Sequence, residues 1–476
     1  MMEEFLDSYY DDDLLKRVDL IIENAKVGKK VFFDLDDFLE AIDFLLNNNQ
    51  ISEAVEAIKI ALHFYSHSSD LKIKYARILN LLGAHNKALK ILSDIKDSNI
   101  HLDHEYYLLK GELFLKQKKV DEAIKQFDKA IKLVDQEKRG DLVYEIAQIF
   151  LNEGKDNIAA KYLLLAYEFD NENLLILYDL GITFERLGYW EKSIKFYNKF
   201  LDIDPFSENI WYSLAYCYYA IEKFDKALEA LEFALAINPG YISCYHLKGE
   251  IFYELENYEK AISIYNEVIK EVSKTDLVSF CSIGDCYIKL NDFDNAFNYY
   301  NKALEINPNF SDAWYGLAQI DKEKGLIDSC VEKIKKAIDL NSENADYWFS
   351  LGEIYKNLNK KDLALKAFSK AIEIEPSDYE SWIEYARIYF EENKIYDAID
   401  ILNKAYQYNY NNSTINYELA SYYIDINKYS EAMTYFERGL ALNYAEHKNY
   451  LERISNKINK ENIENIIIKF QKENNI

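Results

Sequence analysis

Residues 346–376 read DYWFSLGEIYKNLNKKDLALKAFSKAIEIEP, and they contain a pattern that returns along most of the chain. Four residues in the first half share one face of a helix, at spacings of 3, 1 and 3: Trp348, Leu351, Gly352 and Tyr355. Three more share a face of a second helix: Ala364, Phe368 and Ala371. Pro376 has no amide hydrogen and disfavours a helical Glu375, so the second helix ends there. The stretch therefore predicts two helices joined by a short turn.

Three residue types repeat on a single frame of 34 residues. The prolines Pro205, Pro239, Pro308 and Pro376 lie 34, 69 and 68 residues apart, which is the 34-residue period with one extra residue. The tryptophans lie 103, 34 and 34 residues apart: Trp211, Trp314, Trp348 and Trp382. The same phase returns in four glycines: Gly181, Gly249, Gly284 and Gly352. A period of this length indicates an array of repeated supersecondary units.

This pattern resembles that of the tetratricopeptide repeat (TPR) family, which has Trp, Leu-Gly, Tyr, Ala, Phe, Ala and Pro at the same offsets. The match covers residues 35–446 and resembles the long superhelices of bacterial-type TPR proteins. It is strongest in the repeats that begin at Leu174, Glu208, Leu277 and Ala345. The resemblance implies an all-α fold, a right-handed α-solenoid superhelix of about twelve helix-turn-helix repeats with capping helices.

The frame predicts a start for each repeat and a cap at each end of the array. The predicted starts are Leu35, Ser69, His104, Gly140, Leu174, Glu208, Ile242, Leu277, Ser311, Ala345, Tyr379 and Ser413. Residues 1–34 are expected to form an acidic tail and a capping helix over Asp13–Lys26. Residues 447–476 are expected to form capping helices, because the apolar side of a terminal repeat needs cover. The residues expected to provide it are Tyr450, Leu451, Ile454, Ile458, Ile463, Ile466, Ile467 and Phe470.

Charge and composition restrict the partners and the location. The formal net charge is −26, from 56 basic and 82 acidic residues, and such a chain repels the phosphates of nucleic acid. This sign of charge also opposes pentatricopeptide repeats, which read RNA. The N-terminal MMEEFLDSYYDDDLL is unlike a secretory signal, and no apolar run is long enough to span a membrane. The five cysteines have no pairing pattern, as is typical of reduced thiols, so a cytoplasmic location is expected.

The resemblance also indicates where a partner would bind. In TPR superhelices the first helix of each repeat lines the concave surface, largely through positions 2, 5, 9, 12 and 13. Here those positions carry seventeen acidic and seven basic residues. The candidate groove residues are Tyr144, Tyr178, Glu185, Arg186, Tyr212, Tyr216, Tyr219, His246, Glu250 and Tyr253. Tyrosine offers a large rigid face and a hydroxyl for recognition, although a chain with 41 tyrosines also places some there by composition alone.

These residues predict a non-catalytic scaffold that binds other proteins or peptides bearing basic and aromatic or apolar segments. Chaperone-binding TPR domains grip a C-terminal carboxylate with a Lys at position 5, and this chain has no Lys at that position. The sugar-transferring enzyme with a long TPR superhelix binds through a ladder of Asn at position 6, and this chain has no Asn there. Neither kind of partner is therefore expected. No cofactor or metal site is expected: there is no glycine-rich phosphate loop, and His63 and His67 have no third ligand nearby. The sequence predicts no enzyme.

Two other functions stay open as alternatives. One is a structural protein that self-assembles through its terminal helices, which would make a homo-oligomer. The other is an α/α-toroid carbohydrate enzyme, which needs two carboxyl groups about 5–9.5 Å apart. The 34-residue signature opposes the second alternative, because the helix pairs of toroids do not keep it.

Repeat nine departs from the pattern at three positions. Asp321 replaces the aromatic Tyr, Cys330 replaces Ala, and Ser342 replaces Pro. A lone buried carboxylate is costly, so we expect the stack to loosen around Asp321, with a hinge or a partner contact as the alternative. Cys330 is expected to be a small core residue.

Overall fold

The computed structural model describes Leu20 and residues 33–95, 104–450 and 466–472. The described residues form 24 numbered α-helices and no strand. The first twelve are α1 (Leu35–Asn47), α2 (Ile51–Phe64), α3 (Ser69–Leu81), α4 (His85–Ser93), α5 (His104–Lys116), α6 (Val120–Leu133), α7 (Arg139–Asn152), α8 (Asp156–Phe169), α9 (Leu174–Arg186), α10 (Trp190–Ile203), α11 (Glu208–Ala220) and α12 (Phe224–Ile237).

The remaining twelve helices belong to the second half of the chain. They are α13 (Ile242–Glu254), α14 (Tyr258–Glu267), α15 (Leu277–Lys289), α16 (Phe293–Ile306), α17 (Ser311–Glu323), α18 (Ile327–Leu340), α19 (Ala345–Asn357), α20 (Lys361–Ile374), α21 (Tyr379–Glu391), α22 (Ile395–Tyr408), α23 (Ser413–Asp425) and α24 (Tyr429–Leu442). Each odd-numbered helix begins on a predicted repeat start, except α7, which begins at Arg139 behind a 3-10 turn. No described helix is long and apolar enough to cross a lipid bilayer.

The helices pack in pairs within two compact units, Met1–Pro239 and Gly240–Ile476. Inside each unit, an odd-numbered helix packs most extensively on the even-numbered helix that follows it, and each pair packs on the next. Contacts are thus almost confined to neighbours in the sequence, which is the contact pattern of an all-α solenoid. The handedness of a superhelix stays a prediction.

Every helix pair turns through one residue in the left-handed region of backbone conformation, at position 15 of the repeat. The twelve residues are Asn49, Gly83, Lys118, Gly154, Gly188, Glu222, Glu256, Asn291, Gly325, Asn359, Asn393 and Asn427. In the pair α19–α20, the amide of Asn359 donates to the carbonyl of Lys356, and the amide of Lys360 donates to Tyr355, at 2.9 and 2.8 Å. These bonds satisfy the last carbonyls of the first helix and end it.

An aromatic ring from the second helix fills the space over the glycine of the first. A Cβ built on Gly352 would lie 2.6 Å from Cε1 of Phe368, which is fully buried. The same arrangement joins Gly111 to Phe127 and Gly284 to Tyr300. In these three pairs glycine leaves room for the ring, because a Cβ at the same place would overlap it.

Tryptophan and proline share one phase because they meet across the start of the repeat. The indole Nε1 of Trp382 donates to the carbonyl of Pro376 at 3.0 Å. Trp211 and Trp314 make the same bond to the carbonyls six residues before them, at 2.8 and 2.9 Å. Trp348 keeps the bond, at 2.9 Å, to Ser342, where the repeat has lost its proline. The acceptor is a backbone carbonyl, so the bond survives the replacement.

The extra residue between Pro239 and Pro308 lies in repeat seven. Helix α14 ends in a π-helical turn, Val268–Val272, before α15 begins at Leu277. A π turn takes up an inserted residue without ending the helix. The inserted residue therefore leaves the packing frame of the following repeats unchanged.

The reason for expecting a looser stack around Asp321 does not hold, because its carboxylate is not alone, and the loosening itself stays a prediction. Asp321 is buried, and its carboxylate accepts a hydrogen bond from the hydroxyl of Ser329 at 2.5 Å. The same carboxylate forms an ion pair with Lys333. Both partners lie on α18, which packs on α17 as extensively as its neighbours pack on theirs. Cys330 is fully buried, as predicted.

Described residues beyond the last repeat pack on it. Tyr450, Ile466, Ile467 and Phe470 contact the buried cluster of α23 and α24, and the ring of Tyr450 stacks on Tyr417 at 5.0 Å. The expected capping helix over Asp13–Lys26 lies outside the described residues except for Leu20, as does the stretch 451–465.

Candidate functional site

We call the surface formed by positions 2, 5, 9, 12 and 13 of the odd-numbered helices the first-helix face. In the N-terminal unit, the side chain of Tyr144 on this face is hydrogen-bonded to a neighbouring repeat. Its hydroxyl donates to Asp179 of α9 at 2.7 Å, and the Gln148 amide donates to the same carboxylate. Burial first, and then this carboxylate, raise the pKa of Tyr144. The tyrosine therefore helps to join two repeats.

Glu185 and Arg186 also have partners inside the N-terminal unit. Glu185 accepts a hydrogen bond from the hydroxyl of Tyr197 at 2.6 Å. The Nε atom of Arg186 lies 3.7 Å from a carboxylate oxygen of Asp156. The Arg186 side chain is itself 49% exposed, so its guanidinium remains accessible to a ligand.

Four other predicted tyrosines of this unit are exposed or partly exposed: Tyr178, Tyr212, Tyr216 and Tyr219. Tyr178 and Tyr216 are each 39% exposed. The ring of Tyr216 meets Trp190 edge-on, with centroids 6.1 Å apart, and lies 6.4 Å from Tyr219. Tyr212 is half-buried one turn before Tyr216 in α11. These rings form an aromatic surface that contacts both solvent and the repeat.

In the C-terminal unit, the structure brings His246, Glu250 and Tyr253 to one recess of about 310 Å³. The other residues that line it are Glu254, Tyr265, Val278, Ser282 and Asp285. His246 is held by its Nε2 atom, which lies 2.8 Å from Oδ2 of Asp276. Burial opposes ionisation of Asp276, but the hydrogen bonds from His246 and Ser279 lower its pKa below the usual value.

A second recess of about 430 Å³ shares Tyr253 and Asp285 with the first. Sequence reasoning did not single out its other residues, which come from α15, α17 and α19: Ile288, Lys289, Tyr315, Gln319, Lys322, Glu323, Asp346, Phe349, Ser350 and Glu353. Tyr315 and Phe349 stand at position 5 of their repeats, as Tyr178 and Tyr212 do, and Asp346 stands at position 2. Extending the positional frame beyond the four central repeats would have found them.

Tyrosines from the core add hydroxyls to the first-helix face, which the sequence analysis missed. Tyr197 and Tyr300 occupy the ring position that faces glycine, and their hydroxyls reach Glu185 and Asp285, both at 2.6 Å. Tyr265 holds the same position and lines the first recess. The available signal was tyrosine in place of the phenylalanine found at 127 and 368.

Among the carboxylates that line the two recesses, Asp285 has the most altered acidity. Its side chain is open to solvent, yet the recess walls displace much of the surrounding water, and this desolvation raises its pKa. The hydrogen bond from Tyr300 opposes the rise, Asp312 adds to it, and Lys289 opposes it; the resulting pKa is about 6. The carboxylate is thus readily stabilised by an added positive charge.

Metal ligation and thiol chemistry depend on where the described His, Cys, Asp and Glu side chains lie. Within the described residues, no three His, Cys, Asp or Glu side chains are placed to hold a metal ion. The five cysteines are buried free thiols, and burial raises the pKa of Cys217 and Cys286 to about 12. Such thiols are poor nucleophiles at neutral pH.

Comparison with protein families gives matches along the repeat array. Tetratricopeptide repeat models match residues 104–133, 278–310 and 299–331, and the TPR domain of cytochrome c-type biogenesis protein H matches 333–450. A further match is to subunit 3 of the anaphase-promoting complex, at 187–268. The chain is a tetratricopeptide repeat protein. TPR repeats generally mediate protein–protein interactions.

Individual relatives of this TPR protein are distant. It is 28% identical to the BBSome complex member BBS4 of Bos taurus over 35% of this chain and 31% of that one. It is 26% identical to a TPR repeat-containing protein of Methanocaldococcus jannaschii over 64% of this chain and 49% of that one. The chain thus spans between a third and a half of the length of these curated relatives.

Solved structures with a detectable likeness include two proteins. The MamA protein has 25% identity and a TM-score of 0.34, covering 37% of this chain and 94% of that one. A tetratricopeptide repeat protein of Parabacteroides merdae has 18% identity and a TM-score of 0.39, covering 50% of this chain and 93% of that one.

Proposed function

We propose that this TPR protein is a non-catalytic scaffold that holds a segment of a partner polypeptide on its first-helix face. The observation that carries the proposal is the exposure of large aromatic side chains at positions the core does not need. Tyr178 and Tyr216 are each 39% exposed on the first helices of consecutive repeats. Rigid aromatic faces of this kind commonly supply most of the free energy of an interface.

The charge of the surface supports a partner segment with basic residues. Acidic residues outnumber basic ones at the positions of the first-helix face, and the whole chain carries a net charge of −26. Opposite charges accelerate the encounter and fix the orientation, whereas the aromatic contacts hold the complex. We therefore propose a partner with Lys or Arg beside apolar or aromatic anchors. The five free thiols fit a cytoplasmic place of action.

Replacing tyrosines of the N-terminal unit tests the proposal. The triple change Tyr178→Ala, Tyr212→Ala and Tyr216→Ala should leave the helix content intact, because none of the three is fully buried. Capture of partners should fall at least tenfold, which corresponds to about 1.4 kcal/mol. Capture is measured by crosslinking in cells followed by quantitative mass spectrometry of the proteins that co-purify.

A control removes rings that are more exposed, from the second helices. Phe297 and Tyr396 are 49% and 68% exposed on α16 and α22. The double change Phe297→Ala and Tyr396→Ala should leave capture within about twofold, less than 0.5 kcal/mol. An unchanged set of captured proteins in the folded triple variant would place the binding surface elsewhere.

A further inference from the structure

We propose that Asp285, between Tyr253 and Tyr315, is the binding position for a lysine side chain of the partner polypeptide. This inference rests on the proposed function and specifies what the C-terminal unit recognises. Tyr253 and Asp285 line both recesses of the first-helix face in this unit, and Tyr315 lines the second. A side chain that reaches Asp285 would therefore lie where the two recesses meet.

The charge of the two recesses selects a cation. Together they are lined by six carboxylates and two lysines: Glu250, Glu254, Asp285, Glu323, Asp346, Glu353, Lys289 and Lys322. Lys322 is already paired with Glu353 at 3.3 Å. The recess of His246 and Glu250 contains no lysine or arginine at all among its lining residues. An added positive charge would relieve repulsion among these carboxylates, and a negative one would increase it.

The hydrogen bond from Tyr300 favours lysine over arginine. Its hydroxyl donates to Oδ1 of Asp285 at 2.6 Å, so one oxygen of the carboxylate is already engaged. A guanidinium binds a carboxylate best through both oxygens at once, whereas an ammonium is a compact point charge that needs only one. The geometry therefore suits a single ammonium on the second oxygen.

Aromatic walls suit the stem and the charge of a lysine. The ring of Tyr315 is held by the hydrogen bond between its hydroxyl and Ser350, at 2.7 Å. The ring of Tyr253 already makes a cation–π contact within the protein, because the Nζ atom of Lys289 lies 5.9 Å from the ring centroid. Tyrosine faces attract ammonium groups and pack against the methylene stem of lysine. Both walls are thus in place before a ligand arrives.

Peptides that differ in a single charge test the proposal with the full chain. The probe is the fluorescein-labelled peptide GSYLKLYSG, and its counterpart carries norleucine, which keeps the hydrocarbon stem without the ammonium. Binding is measured by fluorescence anisotropy. The lysine peptide should bind at least tenfold more tightly than the norleucine peptide, and an arginine counterpart should bind no more tightly than the lysine peptide.

Asp285→Asn should remove this preference and leave affinity for the norleucine peptide unchanged, because asparagine still offers Tyr300 an acceptor oxygen. The matched control is Asp339→Asn, which changes an exposed carboxylate of α18 in another recess and should keep the preference. A preference that survives in Asp285→Asn overturns the proposal, as does failure of the lysine peptide to bind the wild-type protein.

The test separates this inference from the proposed function. If both peptides bind equally and the change Tyr253→Ala with Tyr315→Ala weakens both, the lysine position is wrong while the first-helix face remains the binding surface. If partner capture in cells is also indifferent to the tyrosines of the N-terminal unit, the proposed function fails as well.

Discussion

The ring of Phe368 lies directly over Gly352, with no room for a methyl group between them. Phe368→Ala removes a fully buried ring and should lower the local free energy of unfolding by about 3–5 kcal/mol, because a cavity remains. Hydrogen exchange of the amides in α19 and α20 measures this loss, since a repeat array need not unfold in one step.

Phe297 provides the control for this change, because its side chain is 49% exposed on the second helix of repeat eight. Phe297→Ala should change the exchange of α15 and α16 by less than about 0.5 kcal/mol. Equal effects of the two substitutions would mean that the ring over Gly352 does not support the helix pair.

The acidity of Asp285 gives stability a dependence on pH. Its pKa is raised from 3.8 to about 6, so between these values the folded chain binds more protons than the unfolded chain. Stability contributed by this group therefore falls as pH rises through that range. Asp285→Asn has no such proton, so its stability relative to wild type should be greater at pH 7.5 than at pH 4.5, by hydrogen exchange of α15 and α16.

A neighbouring aspartate predicts the opposite trend and serves as the control. Hydrogen bonds from Asn295 lower the pKa of Asp292, at the start of α16. The stability it contributes is present above its usual pKa and is lost as pH falls. Asp292→Asn should therefore be least stable, relative to wild type, at the higher pH. The same trend in both variants would show that Asp285 is not protonated more readily in the fold.

Individual residues also show which parts of the site could be predicted from sequence. The sequence predicts Tyr178 and Tyr216 as candidates because a known repeat position places them on a first helix. Tyr300 was missed because its position belongs to the core in every repeat, and only its hydroxyl reaches the surface. Whether the hydroxyl of such a tyrosine reaches a carboxylate depends on how deeply its ring is buried. Repeat positions alone do not give this depth.

At the scale of the element, the turn inside each helix pair depends on one left-handed residue. Glu222 holds this conformation at φ 57°, where Gly188 stands in the preceding repeat at φ 72°. A side chain disfavours this backbone region and glycine does not. Glu222→Gly should therefore stabilise the pair α11–α12 by about 0.5–1 kcal/mol, measured by hydrogen exchange of its amides.

The same substitution inside a helix should have the opposite sign. Glu229 is exposed within α12, and Glu229→Gly should destabilise that helix by about 1 kcal/mol. If Glu222→Gly also destabilises the pair, the turn does not require the left-handed conformation described here.

The sequence predicts where the helices start, because the residues that pack between paired helices recur at fixed positions. The first four repeats have neither Trp nor Pro, and yet they form helix pairs, because small and apolar residues such as Ala76 and Ala88 keep the frame. Repeat nine could not be predicted in the same way. The partners of Asp321 come from α18, and a pattern of single positions does not show which side chains will meet across a pair.

At the scale of the whole molecule, six helix pairs build each of the two compact units. Each unit presents exposed or half-buried aromatic residues on its first-helix face: Tyr178 and Tyr216 in one, Tyr253 and Tyr315 in the other. Carboxylates accompany the rings in both units. We therefore propose that the odd-numbered helices bind the partner in both units.

Site-specific photocrosslinking in cells tests this assignment most directly. The photoreactive residue p-benzoylphenylalanine replaces Tyr178, Tyr216 or Tyr253 on the first-helix face, and Phe233, Phe297 or Tyr396 on the second helices in separate variants. If the first-helix face binds the partner, the first three positions should crosslink the same polypeptide and the last three should not. Crosslinks to that partner from the second helices, with none from the first-helix face, would contradict it.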